Sequence, residues 1–274
     1  MASHREDWAI AAPGLLLLLL AFLVPVGSIL ALGVRTEGGE FTPAYVIRFL
    51  TEPYYLGISW RTIKLSVVIT LVCALVGFPF AYIMARVGPR LRLWLVILIT
   101  LPLMTSVVVR TFGWMVLLGR GGLVPDIMRS LGLVRRNYTL MHTEVAIVVG
   151  MVQILFPFMV LSILGVILRM DPRLEEAARV MGCTFLQSVR RVVLPVATPG
   201  IVAGSLLVFT LSASYFITPS LLGGARLPVL AGSIYETATR TQDWPFAAAQ
   251  SLILFTAVLL LLFPYIRLTR KAGG

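Results

Sequence analysis

Long apolar runs dominate the chain and predict membrane-spanning helices. A helix needs about 20 apolar residues to cross a hydrocarbon core of about 30 Å, and six segments are long enough. They cover roughly residues 8–34, 63–85, 91–109, 145–168, 196–217 and 246–266, with an extension of the third toward Leu118 left open. Several contain proline, which is tolerated where neighbouring helices satisfy the freed carbonyls. The pattern predicts an all-α bundle of six transmembrane helices.

The connection after the third predicted span indicates a short amphipathic helix. Its apolar residues recur at i, i+3, i+4 and i+7, with Pro125 near the start and Gly132 after the end. These apolar residues are Val124, Ile127, Met128 and Leu131. A helix of this kind would lie on the outer surface of the membrane.

The connection over 169–195 predicts a helix, a glycine turn and a second helix. Asp171 followed by Pro172 is a helix start, and Gly182 is typical of a helix end. Thr184 and Gln187 have the spacing of a capping box, which opens a second helix that reaches Pro195. The stripe of the first helix consists of Leu174, Ala177, Ala178 and Met181, and the face of the second of Phe185, Val189, Val192 and Val193. Two interpretations stay open: a docking surface, or a helix pair lying on the bilayer.

Composition excludes an ordinary soluble protein. Hydrophobic residues make up 58% of the 274 residues and charged residues only 13%, whereas soluble domains carry about a quarter charged residues. The net charge of +11 is best explained by topology, since Arg and Lys collect at cytoplasmic helix ends. The basic residues of the 86–92 loop and of the 267–271 tail then place both termini in the cytoplasm. The basic outer segment 120–136 is left without an explanation.

The chain lacks the motifs of the main alternative classes. Its only lysines are Lys64 and Lys271, and neither stands in the phosphate-binding motif that ATP hydrolysis requires. The six predicted spans have no central carboxylate, which argues against an ion-coupled secondary transporter. No clustered catalytic set supports a membrane-embedded enzyme, and two histidines and two cysteines without ligand neighbours predict no metal site. The first apolar segment lacks a basic leader and is interpreted as a retained helix rather than a signal peptide.

One motif in the 169–195 connection resembles a known family. Glu176-Ala177-Ala178, three residues, Gly182, nine residues and Val192-x-Leu194-Pro195 resemble the EAA motif of the membrane-spanning subunits of binding-protein-dependent ABC importers. Val192 replaces the usual isoleucine and keeps its apolar shape. The resemblance implies the type I importer permease fold, with a five-helix core over 63–267, an N-terminal helix and loop over 1–62, and a tail over 268–274.

The same resemblance implies a mechanism and partners. The EAA helix pair would seat in a separate ATPase and couple ATP hydrolysis to transport, through Glu176, Ala177, Ala178, Gly182, Leu194 and Pro195. The expected partners are a second permease subunit, two copies of the ATPase and a periplasmic or extracellular solute-binding protein, with no nucleic acid. ATP and Mg²⁺ would be held by the ATPase, and this chain would bind no cofactor.

Three further segments resemble the spermidine/putrescine permease branch of the family. They are residues 109–114, 219–224 and 243–246. Relatives that transport iron, thiamine, phosphonates, opines or amino-acid-like solutes have similar segments, so these stay open as alternatives to a polyamine.

Six residues are candidates for the solute path: Arg110, Trp114, Tyr215, Phe216, Glu236 and Asp243. Arg110 is a charge at the end of an apolar run, which marks either a functional site or an arginine that reaches the interface. The three aromatic rings can receive a polyammonium ion, or can serve ordinary packing and interface anchoring. Glu236 and Asp243 are expected outside, facing the binding protein or the mouth of the path.

Overall fold

The computed structural model describes residues 3–35, 39–134 and 138–272, and its regular structure there is helical apart from one isolated bridge between Arg35 and Phe41. The all-α class is confirmed. The α-helices are α1 (Ser3–Leu32), α2 (Ala44–Thr51), α3 (Pro53–Arg86), α4 (Pro89–Thr100), α5 (Val107–Leu118), α6 (Leu123–Ser130), α7 (Glu144–Ile167), α8 (Arg173–Val180), α9 (Phe185–Ser188), α10 (Leu194–Ser214), α11 (Ile217–Gly223), α12 (Leu230–Thr239) and α13 (Trp244–Ala272).

Four helical stretches in the described residues are long and apolar enough to cross a membrane. They are Pro53–Arg86, Val107–Ser130, Glu144–Ile167 and Phe185–Ser214, with shorter apolar helices at Leu16–Leu32 and Trp244–Leu260. Apolar helices therefore occur at the predicted positions of the first, second, fourth, fifth and sixth spans. The count of six spans stays a prediction.

The chain divides into two compact units. The smaller contains residues up to Leu56 together with Ser233–Ala257, and the larger contains Gly57–Gly232 and the chain from Val258 onward. Within the smaller unit, Asp243 caps α13 by accepting a hydrogen bond from the Phe246 backbone N–H at 3.1 Å. The Arg48 guanidinium lies 4.1 Å from the centroid of the Phe246 ring, which ties α2 to the start of α13.

Helix α7 forms the centre of the larger unit. Thr143 caps its start by accepting from the Ala146 backbone N–H, and its buried side chains are the largest part of the apolar core. Helix α10 packs closely on α7. A Cβ atom added to Gly200 would lie only 2.8 Å from the backbone oxygen of Ser162. Gly204 approaches the Met159 sulfur in the same way. Small residues thus allow the two backbones to meet, as membrane helix pairs commonly require.

The third predicted span is interrupted, so the expectation of one continuous helix over 91–109 is wrong. Helix α4 ends at Thr100, a 3₁₀ turn covers Leu101–Met104, and α5 begins at Val107. Pro102 has no N–H to continue the helix ladder, and Thr105 is extended with ψ 151°. The membrane-length stretch in this region is Val107–Ser130, displaced toward the C-terminus of the predicted span.

The second helix of the predicted pair does not stop at Pro195. Helix α9 continues through a π-helical turn, Val189–Val193, directly into α10. The Leu194 N–H donates to the Val189 carbonyl five residues earlier, and Pro195 then occupies the first turn of α10, where its missing N–H removes no bond. The second helix of the pair and the fifth apolar helix therefore form one continuous helix with a widened turn.

The amphipathic helix predicted after the third span forms over Leu123–Ser130. Gly132 follows with φ +72°, and the Leu133 N–H donates to the Met128 carbonyl, which closes the helix end. Val124 and Met128 pack against the core, whereas Ile127 is exposed. The predicted stripe therefore divides between two sides of the helix.

The close approach of α7 and α10 predicts opposite outcomes for two glycines. Gly200→Ala should destabilise the subunit by about 1–3 kcal/mol, because its Cβ has no room and overpacking costs that much. Gly165→Ala, on the exposed side of α7 with nothing within 4 Å of an added Cβ, should be neutral or stabilising because alanine favours a helix. Thermal unfolding of both variants in the same detergent measures the difference, and equal melting temperatures would contradict the packing described.

Candidate functional site

The helix pair over 169–195 is built by the caps that its sequence predicts. The Arg173 N–H donates to Asp171 Oδ1 at 2.9 Å and starts α8. Gly182 has φ +88°, and the Cys183 N–H donates to the Ala178 carbonyl at 3.1 Å, the bond that closes a helix ending in a left-handed residue. Both halves of the Thr184–Gln187 capping box are present. The predicted helix, glycine turn and helix are confirmed.

Helix α8 presents two different faces. Glu175 and Ala178 are buried, with 6% and 4% of their surfaces exposed. The other side of the helix is open, including Glu176 and Ala177. Val180 is 88% and Met181 80% exposed. Of the residues in the predicted stripe, Ala178 is thus packed inside the subunit and the others face outward.

The inner face of α8 is held by a cluster around Glu175, which we name the Glu175 cluster: Tyr82, Arg86, Glu175, Arg179 and Phe185. Tyr82 Oη donates to Glu175 Oε1 at 2.7 Å, and Arg179 donates to the same oxygen at 2.9 Å. Arg86 donates to Glu175 Oε2. The Tyr82 and Phe185 rings meet edge to face with centroids 6.0 Å apart. One carboxylate therefore connects α3 to α8, and the rings connect α3 to α9.

The surroundings of Glu175 favour its charged form. Burial by itself raises the pKa of a carboxyl group, but the Tyr82 hydrogen bond and the Arg86 and Arg179 charges outweigh burial and hold the pKa of Glu175 below its usual value. The stabilisation from this pairing is accordingly present at neutral pH and is lost as the pH falls through the lowered pKa.

The basic residues of the 86–92 loop have defined partners. Arg92 donates to the carbonyl oxygens of Met84, Ala85 and Val87 at 2.9–3.0 Å, so it caps the end of α3. Arg86 binds Glu175. Sequence reasoning assigned these arginines only to membrane topology, and it did not identify Glu175 as a site residue. The available signal for this site was Arg86, one helical turn after Tyr82 at the end of a predicted span. Nothing in the sequence pairs Arg86 with Glu175, which lies 89 positions later.

A cavity of about 480 Å³ lies beside the break in the third span. Its walls come from α3, from the end of α4 with the following turn, from α5 and from α7. The lining is Val72, Val76, Ile99, Pro102, Trp114, Val148, Val149, Val152, Gln153, Phe156 and Pro157. Trp114 Nε1 donates to Gln153 Oε1 at 3.4 Å, which places one polar pair on an otherwise apolar surface. Of the solute-path candidates, Trp114 lies in this lining.

Arg110 supplies a hydrogen-bond donor at the break between α4 and α5. Its Nη1 donates to the Pro102 carbonyl at 2.8 Å, and the Thr105 hydroxyl donates to the same oxygen at 2.7 Å. These bonds supply partners at the point where the helix ladder stops. Arg110 Nε is buried with no partner among the described residues.

The other solute-path candidates lie elsewhere in the fold. Tyr215 packs against the apolar core at the end of α10, and Phe216 follows it, half-buried. Glu236 is exposed and pairs with Arg240 at 3.7 Å. Asp243 caps α13 and pairs with Arg48 at 3.4 Å.

Comparison with known proteins identifies the family. Residues 77–270 match the model of the binding-protein-dependent transport system inner membrane component. The chain belongs to this family. It is a permease subunit of an ABC importer. The matched residues include the helix pair, all five residues of the Glu175 cluster, and the cavity residues from α4, α5 and α7.

Its relatives include polyamine permeases. The chain is 34% identical over 255 residues to the spermidine/putrescine transport system permease protein PotB of Haemophilus influenzae, covering 91% of this chain and 89% of that protein. It is 33% identical over 221 residues to PotB of Escherichia coli, covering 81% and 80%. A crystal structure of a bacterial alginate ABC transporter in complex with its alginate-bound periplasmic protein contains a chain of the same fold, with TM-score 0.82 at 18% identity over 97% of this chain and 96% of that one.

The left-handed turn between α8 and α9 predicts a conformational cost at Gly182. Gly182→Ala should destabilise the helix pair by about 1 kcal/mol, because an L-residue is strained at φ +88° even though space is open. Gly88→Ala is the matched control, since Gly88 also has nothing within 4 Å of an added Cβ and has φ −60°. Limited proteolysis of residues 169–195 measures the effect, and equal cleavage rates in the two variants would argue against it.

Proposed function

We propose that this subunit forms part of the translocation path of a polyamine importer and that the outer face of α8 and α9 receives the separate ATPase. The proposed ATPase contact rests on one observation. The helix pair that bears the EAA motif is well capped and exposes apolar residues together with Glu176. The polyamine half rests on PotB, to which the chain is similar over most of its length. The alternative is a related importer for another solute, such as iron, thiamine, a phosphonate, an opine or an amino-acid-like compound.

The outer face has the chemistry of a protein docking surface. Val180, Met181 and Leu186 are 88%, 80% and 72% exposed, and Glu176 and Ala177 lie among them. Large exposed apolar side chains next to charges mark interaction sites, and a small residue at the centre permits close approach. The helix pair also exposes Arg173, Arg190 and Arg191, which an anionic bilayer attracts, so the preference for a protein partner rests on the EAA motif and on the family of the chain.

The cavity is proposed as this subunit's wall of the solute path. Its apolar lining suits the methylene chain of a polyamine, and the Trp114 face can receive an ammonium group. The Gln153 amide oxygen is a second acceptor. No carboxylate is among its lining residues, so we assign most of the selection to the solute-binding protein.

The remaining parts of the importer are proposed from the family to which the chain belongs. Two ATPase copies hold ATP and Mg²⁺, and a second permease completes the path. The subunit lies in a bacterial inner membrane with both termini on the cytoplasmic side. Closure of the ATPase pair would then switch the permease pair between inward-facing and outward-facing packings. The test is to purify the chain with its co-purifying subunits, reconstitute them in vesicles and determine which solute with its binding protein stimulates ATP hydrolysis. Recovery of no ATPase would overturn the proposal.

Changes on the outer face should uncouple transport without preventing membrane insertion. Glu176→Lys reverses a charge at the proposed contact, and Gly182→Asp strains the turn that presents it. Both should reduce solute-stimulated ATP hydrolysis by at least about fivefold, the lower end of typical coupling between sites. Asp126→Lys in α6 is the control, because Asp126 is also a half-exposed helical acid but lies outside the helix pair. Normal uptake by the Glu176→Lys complex would contradict the coupling assignment.

Removing the aromatic face of the cavity should weaken solute transit. Trp114→Ala should lower spermidine uptake at subsaturating concentration by about 2- to 30-fold, the equivalent of a cation–π contact worth about 0.5–2 kcal/mol. Trp94→Ala is the matched control, because Trp94 in α4 is 67% exposed and is not in the cavity lining. Unchanged uptake with Trp114→Ala would remove this cavity from the proposed path.

A further inference from the structure

We propose that Glu175 is a positioning residue that transmits the movement of the ATPase-bound helix pair to α3, and through α3 to the wall of the cavity. The inference deepens the proposed function and rests on it. The neighbouring Glu176 is the glutamate of the EAA motif, and the motif assigns no role to Glu175.

The first step is that Glu175 joins elements far apart in the chain. Its two oxygens accept from Tyr82 and Arg86 on α3, and from Arg179 on α8. Arg86 also lies over the Tyr82 ring, 5.2 Å from its centroid, and Arg179 lies 5.6 Å from the centroid of the Phe185 ring. A displacement of α8 relative to α3 therefore breaks the Tyr82 and Arg86 bonds together, whereas the Arg179 bond lies within α8.

The second step is that this connection is protected from water. The Glu175 side chain is 7% exposed and that of Arg86 29%. Hydrogen bonds to charged groups are stronger than those between neutral groups and strengthen further away from solvent. Removing one partner of a buried ion pair leaves an uncompensated charge, which is costly. The cluster thus resists separation more than an exposed ion pair does.

The third step is that Glu175 and Glu176 lie on different faces of α8, about 100° apart around the helix axis, with Glu175 buried and Glu176 exposed. The exposed Glu176 side belongs to the proposed ATPase contact, and the buried Glu175 side contacts α3. A force applied on the outer face is consequently passed to α3 through the inner face, with α8 as the short rigid element between them.

The fourth step links α3 to the cavity. Val72 and Val76 of α3 line it, and Val76 lies ten residues before Arg86, about 15 Å along a helix. Arg92 holds the end of α3 by hydrogen bonds to the carbonyls of Met84 and Ala85, and to that of Val87 just after the helix, so the part of α3 beyond Pro79 is firmly held. A displacement of Arg86 by the Glu175 cluster therefore moves two residues of the proposed solute path.

The same helix provides a matched control. Lys64 of α3 pairs with Glu144 at 2.7 Å, but these side chains are 46% and 36% exposed and lie outside the helix pair. Breaking that pair removes an α3 ion pair without touching the Glu175 cluster. Glu144→Gln should therefore leave coupling unchanged.

The experiment uses the full complex of this chain with its ATPase, partner permease and binding protein in vesicles, with spermidine as the probe. It measures the amount of ATPase that co-purifies, basal ATP hydrolysis and spermidine transported per ATP. The variants are Glu175→Ala, Glu175→Gln, Glu144→Gln and the exchanged pair Arg86→Glu with Glu175→Arg. Glu175→Gln retains an acceptor for Tyr82 and removes the charge, so it separates hydrogen bonding from ion pairing.

We expect Glu175→Ala to lower transport per ATP by about tenfold, a typical coupling between sites, with recovery and basal hydrolysis within about twofold of the wild type. Glu175→Gln should be intermediate, and the exchanged pair should recover part of the loss. Wild-type transport per ATP in Glu175→Ala would overturn the inference alone. If Glu175→Ala loses basal ATP hydrolysis and transport equally, and the exchanged pair restores neither, the role of Glu175 is purely structural and the inference is also overturned. A wild-type complex without ATP-driven uptake would overturn the proposed function, and this inference with it.

Discussion

Backbone groups at membrane depth must find their hydrogen-bond partners within the protein, because hydrocarbon offers none. This constraint accounts for the irregular points of the fold as well as for its helices. Where the ladder stops at Pro102, the Thr105 hydroxyl and the Arg110 guanidinium supply donors to its carbonyl. Where Pro195 removes a donor, a π-helical turn precedes it and α9 continues into α10. The departures from regular helix are therefore satisfied locally by side chains or by a change of helical pitch.

Three arginines have different roles in the fold. Arg110 supports a break, Arg92 caps the end of α3, and Arg86 pairs with a buried carboxylate. Arg92 uses two nitrogens of one planar guanidinium, Nε and Nη2, to reach three carbonyls, a fixed geometry that a lysine ammonium does not present. The near absence of lysine in the chain is consistent with this use, although topology alone requires only positive charge.

Helix α3 contributes residues both to the Glu175 cluster and to the cavity. One end of α3 binds the helix pair through Tyr82 and Arg86, and Val76 lines the cavity about 15 Å away along the same helix. The α7–α10 contact, made close by Gly200 and Gly204, provides a rigid core beside it. Close-packed interfaces of this kind move between discrete arrangements rather than deform continuously, which suits a transporter that alternates between two states.

The sequence by itself determined the elements whose information is local. Apolar runs predicted the long helices, and Asp171, Gly182 and the Thr184–Gln187 pair predicted the helix pair, because caps and turns are set by residues within one or two turns of each other. The EAA spacing predicted the family for the same reason. Only the tertiary structure decided that Glu175 is buried while Glu176 is exposed, that Arg86 is its partner, and that Trp114 faces a cavity whereas Asp243 caps a helix. These outcomes depend on contacts between residues that are dozens of positions apart, and periodicity along one helix does not specify which neighbour its polar face will meet.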